Sequence, residues 1–170
     1  MDVRIRLLQA DDLAKVVALQ DHCYSDDLYE PPALLGTRLK VAAESCWLAE
    51  NTAGELLGYL FSYPALTQHV TVLASQFERA AAADLLYLHD LAVSEAARGK
   101  GIAAILLKQA EQHAAALSLP CLALVAVQKS QRFWHKQGFI AKRLIAEKAQ
   151  CALHSYGLDA VYMQKPLTSG

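Results

Sequence analysis

Residues 85–127 read LLYLHDLAVSEAARGKGIAAILLKQAEQHAAALSLPCLALVAV. LLYLHDLAV (85–93) is apolar and strand-like, GKGIAAILLKQAEQHAAAL repeats its apolar residues at helical spacing, and CLALVAV (121–127) is a continuous apolar run of the kind found at buried parallel positions. Strand, helix and strand in that order imply a right-handed crossover between two parallel strands. On the helix, Ile102, Ile105, Leu106 and Leu117 form the stripe expected in the core.

Upstream, VRIRLL (3–8) alternates as a strand, and the carboxylates of Asp11 and Asp12 suit the start of a helix through LAKVVALQDHCY. SDDLYEPP is a loop, and ALLGTRLKVAA is a second helix entered through proline. CWLAE (46–50), NTAGE and LLGYLFSY (56–63) form a hairpin. The connection from Pro64 to Asp84 is longer than a hairpin requires, a mark of functional loops, and a short helix is expected within LASQFERAAA. Downstream, SQRFWHKQ predicts a short helix ending at Gly138, and FIAKRLI and YGLDAVYMQKPL supply the last two strands. No repeat, low-complexity tract or linker divides the chain. The expected architecture is one α/β (α+β) domain over residues 1–170, with a mixed, mostly antiparallel sheet of six to seven strands and about four flanking helices.

Composition narrows the function. Hydrophobic residues make up 54%, charged residues 19% and the net charge is -1, so the chain is neither disordered nor a polyelectrolyte, and bulk charge argues for no nucleic-acid partner. MDVRIRLLQADD lacks the apolar core of a signal peptide, and no run approaches the roughly 20 apolar residues needed to cross a bilayer, so no membrane partner and a cytoplasmic location are expected. Cys23, Cys46, Cys121 and Cys151 are widely separated, and His69, His135 and His154 lack ligand-spaced partners; neither a disulfide framework nor a metal site is expected.

The RGKG bend sits where a strand gives way to a helix. Its amides lack intrahelical acceptors and lie at the positive end of the helix dipole, which makes an anion site. Gly99 and Gly101 let a phosphate approach the main chain, and Arg98 and Lys100 add charge. Neither GxxxxGK[ST] nor GxGxxG is present; the plain alternative is a glycine turn carrying solvated cations.

With LAV before it, Arg98-Gly99-Lys100-Gly101-Ile102-Ala103 resembles the Q/R-x-x-G-x-G/A signature of the GNAT superfamily of acyl-CoA-dependent N-acyltransferases. SQRFWHKQGF resembles that family's A-x-x-F-Y-x-x-x-G-F helix and strand, and the likeness runs from the first strand to the last. The resemblance implies a GNAT-like sheet with a splayed parallel strand pair. It also implies acetyl-CoA as co-substrate, with its pyrophosphate on the amides of residues 98–103. The pantetheine arm would pair with the main chain of the Leu91, Ala92 and Val93 segment, and Ser130 and Trp134 of the second motif would border the cofactor.

Amine acylation by direct attack on a thioester needs a proton acceptor, oxyanion stabilisation and a leaving thiolate, but no protein nucleophile. Tyr87, His89, Leu91 and Val93 alternate and are therefore expected on one side of their strand. A histidine there can accept a proton at neutral pH, although a strand histidine is also a common core residue. YLHDLAV is similar to the HLHALAV-type strand of the arylalkylamine N-acetyltransferase branch, whose two histidines are linked to proton removal. His89 matches the second of them, and Tyr87 replaces the first.

Trp134 stands where the family carries the tyrosine credited with protonating the thiolate; indole donates a hydrogen bond but does not ionise usefully. Unassisted departure is one consequence, and help from Tyr156, Tyr24 or Tyr29 is another. In SDDLYEPP, Asp26, Asp27 and Glu30 can attract a cationic amine that Tyr24 and Tyr29 flank, unless this is a solvated acidic turn. The expected function is acetyl-CoA-dependent N-acetylation of a primary amine of a small molecule in a ternary complex. Acetylation of protein or peptide amino groups, and non-catalytic acyl-CoA binding that regulates a partner, are the competing readings. The resemblance also allows a homodimer through terminal strands.

Overall fold

The computed structural model describes residues 2–168 and places the crossover where the sequence puts it. The strands are β1 (Arg4–Leu7), β2 (Cys46–Glu50), β3 (Leu56–Ala65), β4 (Leu85–Val93), β5 (Cys121–Ala126), β6 (Ile140–Ala141) and β7 (Val161–Pro166). The helices are α1 (Leu13–Cys23), α2 (Pro32–Val41), α3 (Ile102–Ala116), α4 (Gln131–Lys136) and α5 (Glu147–His154). One seven-stranded sheet runs β1-β2-β3-β4-β5-β7-β6, antiparallel except for β4 and β5. No helix among the described residues is long and apolar enough to cross a membrane.

Each face of the sheet buries its own core. Val16 of α1, Leu35 and Leu39 of α2, and Ala149 and Ala152 of α5 pack with Tyr59, Tyr63 and Tyr87 on one face. Ile102, Leu106, Leu107 and Ala110 of α3 pack with Leu86, Leu88 and Leu122 on the other. Gly58 of β3 makes the second contact close: a Cβ there would lie 2.8 Å from the Ala92 carbonyl oxygen and 3.1 Å from Ile102 Cγ2. Ile102 and Leu106 are core as expected, but Ile105 and Leu117 are 37% and 42% exposed. Leu117 lies just past the end of α3, where the helical phase no longer holds it to the core.

Three further expectations are corrected. LASQFERAAA forms no helix, because its backbone and side chains are taken up by other partners: the Ala74 N–H donates to Glu30, the Ser75 carbonyl accepts from Arg38, and Phe77 stacks on Tyr63. FIAKRLI contributes only the two residues of β6, and α5 lies in a stretch the strand reading left unassigned.

The third correction concerns β4. Against β3, Phe61 faces Asp90 and Ser62 faces Leu88, so His89 is the extra residue of a bulge. The bulge breaks the alternation: Tyr87 and Ala92 face the α1/α2 core, whereas Leu91 and Val93 face the α3 core. Tyr87 and His89 therefore do not share a face with Leu91 and Val93. Instead His89 and Asp90 both face the α1/α2 side, His89 toward Phe77 and Asp90 toward Tyr24 and Tyr59.

Candidate functional site

β4 and β5 pair only over Leu86–Leu88 and Leu122–Leu124, yet β4 runs on to Val93. Beyond Leu88 the two strands part, and main-chain groups on the facing edge of β4 lose their ladder partners. A cavity of about 570 Å³ opens at this parting. Leu91, Ala92 and Val93 border it along β4, Val127 and Gln128 follow β5, and Ser130, Phe133 and Trp134 close the α4 side.

One end of the cavity meets the start of α3, bordered by Arg98, Gly99, Gly101, Ile102 and Ala103. Gly99 and Gly101 have φ of +77° and +76°, and a Cβ at either would meet nothing within 4 Å, so the main chain is bare toward open space. The Ile105 N–H donates to the Gly101 carbonyl, which leaves the amides of Ile102, Ala103 and Ala104 without intrahelical acceptors. A bare backbone, free amides and the positive helix end fit a pyrophosphate. Lys100 is exposed and does not border the cavity.

At the opposite end lie Tyr24, Leu28, Glu30, Leu73, His89 and Tyr156. Glu30 is only 5% exposed and is not free to greet a cation. Its Oε2 accepts from Arg38 Nη2 at 2.7 Å and from the Ala74 N–H at 2.9 Å, while Oε1 lies 3.0 Å from His89 Nε2. Burial pushes the Glu30 carboxyl up, but hydrogen bonds and charge from His89 and Arg38 outweigh it and hold the group well below the usual carboxylate range. An ionised carboxylate only accepts, so His89 Nε2 carries the hydrogen in this contact, while Nδ1 is buried without a protein partner.

Asp90 is buried between two phenols. The Tyr59 hydroxyl donates to Oδ2 at 2.8 Å, and the Tyr24 hydroxyl points toward both Oδ1 at 2.7 Å and the Leu91 carbonyl oxygen at 3.0 Å. Burial raises the Asp90 carboxyl, against the opposing pull of His89 and the two hydroxyls. Burial likewise raises the Tyr156 phenol, whose hydroxyl donates to the Thr71 carbonyl oxygen.

Among the residues singled out in the sequence, Tyr87 is fully buried beside Tyr63 and His69 and borders no part of the cavity. Asp27 and the 56%-exposed Tyr29 also lie outside it. The cysteines are unpaired; burial pushes the Cys46 thiol up to about 12 and raises Cys23 and Cys121, which disfavours thiolate chemistry. Arg38 and Asp90 escaped the sequence reading. Arg38 falls between Leu35 and Leu39 on the inward stripe of α2, and a cation there signals a buried anion.

A profile of the acetyltransferase (GNAT) family matches residues 10–139. A search of curated proteins found no significant match. Among solved structures, the chain is similar to the GphF GNAT-like decarboxylase in complex with isobutyryl-CoA, at 17% identity and a TM-score of 0.77, over 97% of this chain and 100% of that one. It is similar to Ard1 from Thermoplasma volcanium at 16% identity and a TM-score of 0.72, over 99% and 100% of the two chains. N-acetylglutamate synthase from Neisseria gonorrhoeae, complexed with coenzyme A and N-acetyl-glutamate, aligns at 18% identity and a TM-score of 0.73, over 99% of this chain and 36% of that one.

Proposed function

The chain belongs to the acetyltransferase (GNAT) family and is an acyltransferase, and from that premise we propose that it transfers an acetyl group from acetyl-CoA to a primary amine of a small molecule. One observation carries the reading. The parallel ladder ends at Leu88 and Leu124, and β4 continues along a cavity with a phosphate-fitting backbone at one end and a held histidine at the other. The donor thioester lies along β4 beyond Leu88, and the acceptor amine approaches from the side of Leu28, Leu73 and Tyr156. His89 takes the amine proton at Nδ1, directly or through a water, while Glu30 and Arg38 hold the ring. Leu28 and Glu30 of the α1–α2 loop and Leu73 of the 66–84 connection line this end, and on these short walls we base the choice of a small acceptor over an extended peptide.

Measuring CoA release from acetyl-CoA with a panel of amines, amino acids and peptides tests the reading. Release with compact amines and none with peptides is expected. Release only with peptides would overturn the acceptor class, and tight CoA binding without release from any acceptor would make the chain a binding module.

The phosphate cradle has its own test. Gly101→Val places a β-branched residue at a φ of +76°, where a non-glycine residue costs roughly 1–2 kcal/mol, and projects its side chain into the open groove. CoA affinity measured by calorimetry should fall about tenfold or more, tenfold corresponding to about 1.4 kcal/mol. A folded variant with unchanged affinity would exclude the start of α3 as the phosphate site.

A further inference from the structure

Acyl transfer ends with a thiolate that must become a thiol, because thiols ionise near pH 8.5, above neutrality. The Trp134 indole that borders the cavity cannot supply that proton. Among the described residues, three hydroxyls border the cavity: those of Ser130, Tyr156 and Tyr24. An aliphatic alcohol such as Ser130 is too weak an acid, and the Tyr156 hydroxyl, which donates to the Thr71 carbonyl, has no hydrogen-bonded carboxyl to replace its proton. Tyr24 is different: its oxygen lies 3.0 Å from the Leu91 carbonyl, three residues past the last parallel rung, and 2.7 Å from a buried carboxyl.

Tyr24 brings fewer hydrogens than it has acceptors. Its hydroxyl has one hydrogen but faces two acceptors, Asp90 Oδ1 and the Leu91 carbonyl oxygen. With Asp90 ionised, one of these two oxygen–oxygen contacts has no hydrogen in it. With a proton on Asp90 Oδ1, all three contacts are satisfied: Asp90 donates to Tyr24, Tyr24 to Leu91, and Tyr59 to Asp90 Oδ2. The titratable groups around Asp90 are Tyr24, Tyr59, Tyr156, Cys23, His89 and Glu30. Only His89, when protonated, adds a positive charge, whereas Glu30 and burial favour the neutral acid.

We infer that Asp90 holds a proton in the resting protein and, through Tyr24, forms the acid that protonates the departing thiolate. The inference rests on the acyl-transfer reading above. As the new S–H bond forms, the Tyr24 O–H bond breaks and the Asp90 proton moves to the Tyr24 oxygen, leaving a carboxylate. The proton removed from the amine and held on His89 restores Asp90 through solvent. One proton thus passes from the neutral amine to the thiol in each turnover, the extra proton of an ammonium substrate goes to solvent, and the chain is unchanged. The bulge at His89 makes the division of roles local, setting a base and an acid side by side on one face of β4.

Two measurements on the full chain test this. The infrared spectrum of the free protein at pH 7 should contain a protonated-carboxyl carbonyl band that disappears in Asp90→Asn; its absence from the wild type overturns the inference without reference to activity. Tyr24→Phe should lower kcat by about 10²-fold, within the range for general acid catalysis, with the KM for acetyl-CoA changed less than about twofold. Adding Trp134→Tyr, which returns an ionisable hydroxyl to the cavity wall, should recover at least about tenfold of that loss, a rescue that a packing role for Tyr24 does not predict. An undiminished kcat in Tyr24→Phe, or a loss that Trp134→Tyr leaves untouched, overturns the donor role. If no acceptor elicits CoA release, the transfer reading and the donor role fall together, and the infrared band alone decides where the proton lies.

Discussion

His89→Ala should lower the rate of CoA release at pH 7 by about 10²–10⁴-fold, the range over which a positioned general base contributes. The variant should fold, because Glu30 keeps Arg38 and the Ala74 N–H as partners. The deficit should shrink as pH rises: an alkylamine is mostly protonated at neutral pH and needs a base, whereas in alkaline solution more of it arrives neutral. Profiles of kcat/KM against pH for both proteins check this. Parallel profiles with equal rates would remove His89 as the proton acceptor.

Arg38→Met should be the most damaging change to stability. Arg38 is fully buried, its Nη2 pairs with Glu30, its Nε donates to the Ser75 carbonyl at 3.0 Å, and its guanidinium carbon sits 4.8 Å from the centre of the Phe77 ring. Deleting one partner of a buried ion pair costs about 3–5 kcal/mol because the other charge is left uncompensated. Denaturant unfolding at pH 7 should show a loss of that size. The double variant Arg38→Met with Glu30→Gln should recover much of it, since no lone charge remains. A loss below about 1 kcal/mol would mean that the pair does not anchor the 66–84 connection.

The same pair sets a pH dependence. Glu30 is held below its ordinary value of 4.5, so its stabilisation is fully present above that pH and fades as acid protonates the folded state. In Arg38→Met the carboxyl loses a partner that favours ionisation, and burial makes it take up a proton more readily. The stability gap between wild type and variant should therefore narrow below about pH 4.5.

Local chemistry carried most of the fold. The bounds of β4, the start of β5, the hairpin of β2 and β3, and the glycine-marked start of α3 all follow from periodicity and turn residues a few positions apart. Failures came where distant partners outcompeted local preference. LASQFERAAA has helical composition, but Glu30, Arg38 and Tyr63 engage its backbone and its Phe77 ring, and the segment stays irregular around them. Alternation along β4 failed at one residue, because a bulge depends on the register of β3 against β4, and no short stretch of sequence encodes that register.

The site divides along the same line. The proposed phosphate cradle is legible in chain order alone, since two glycines, an adjoining strand and a helix start are contiguous and leave free amides at a helix start. The opposite end of the cavity, where we propose that the acceptor enters, depends on contacts between residues far apart in the chain. There Glu30 is no docking carboxylate but the partner of Arg38 and His89, and Tyr24 meets Asp90 across 66 positions of chain. Burial and pairing change what a carboxyl does, holding one ionised and favouring a proton on the other, and both are set by which distant residues the fold brings into contact.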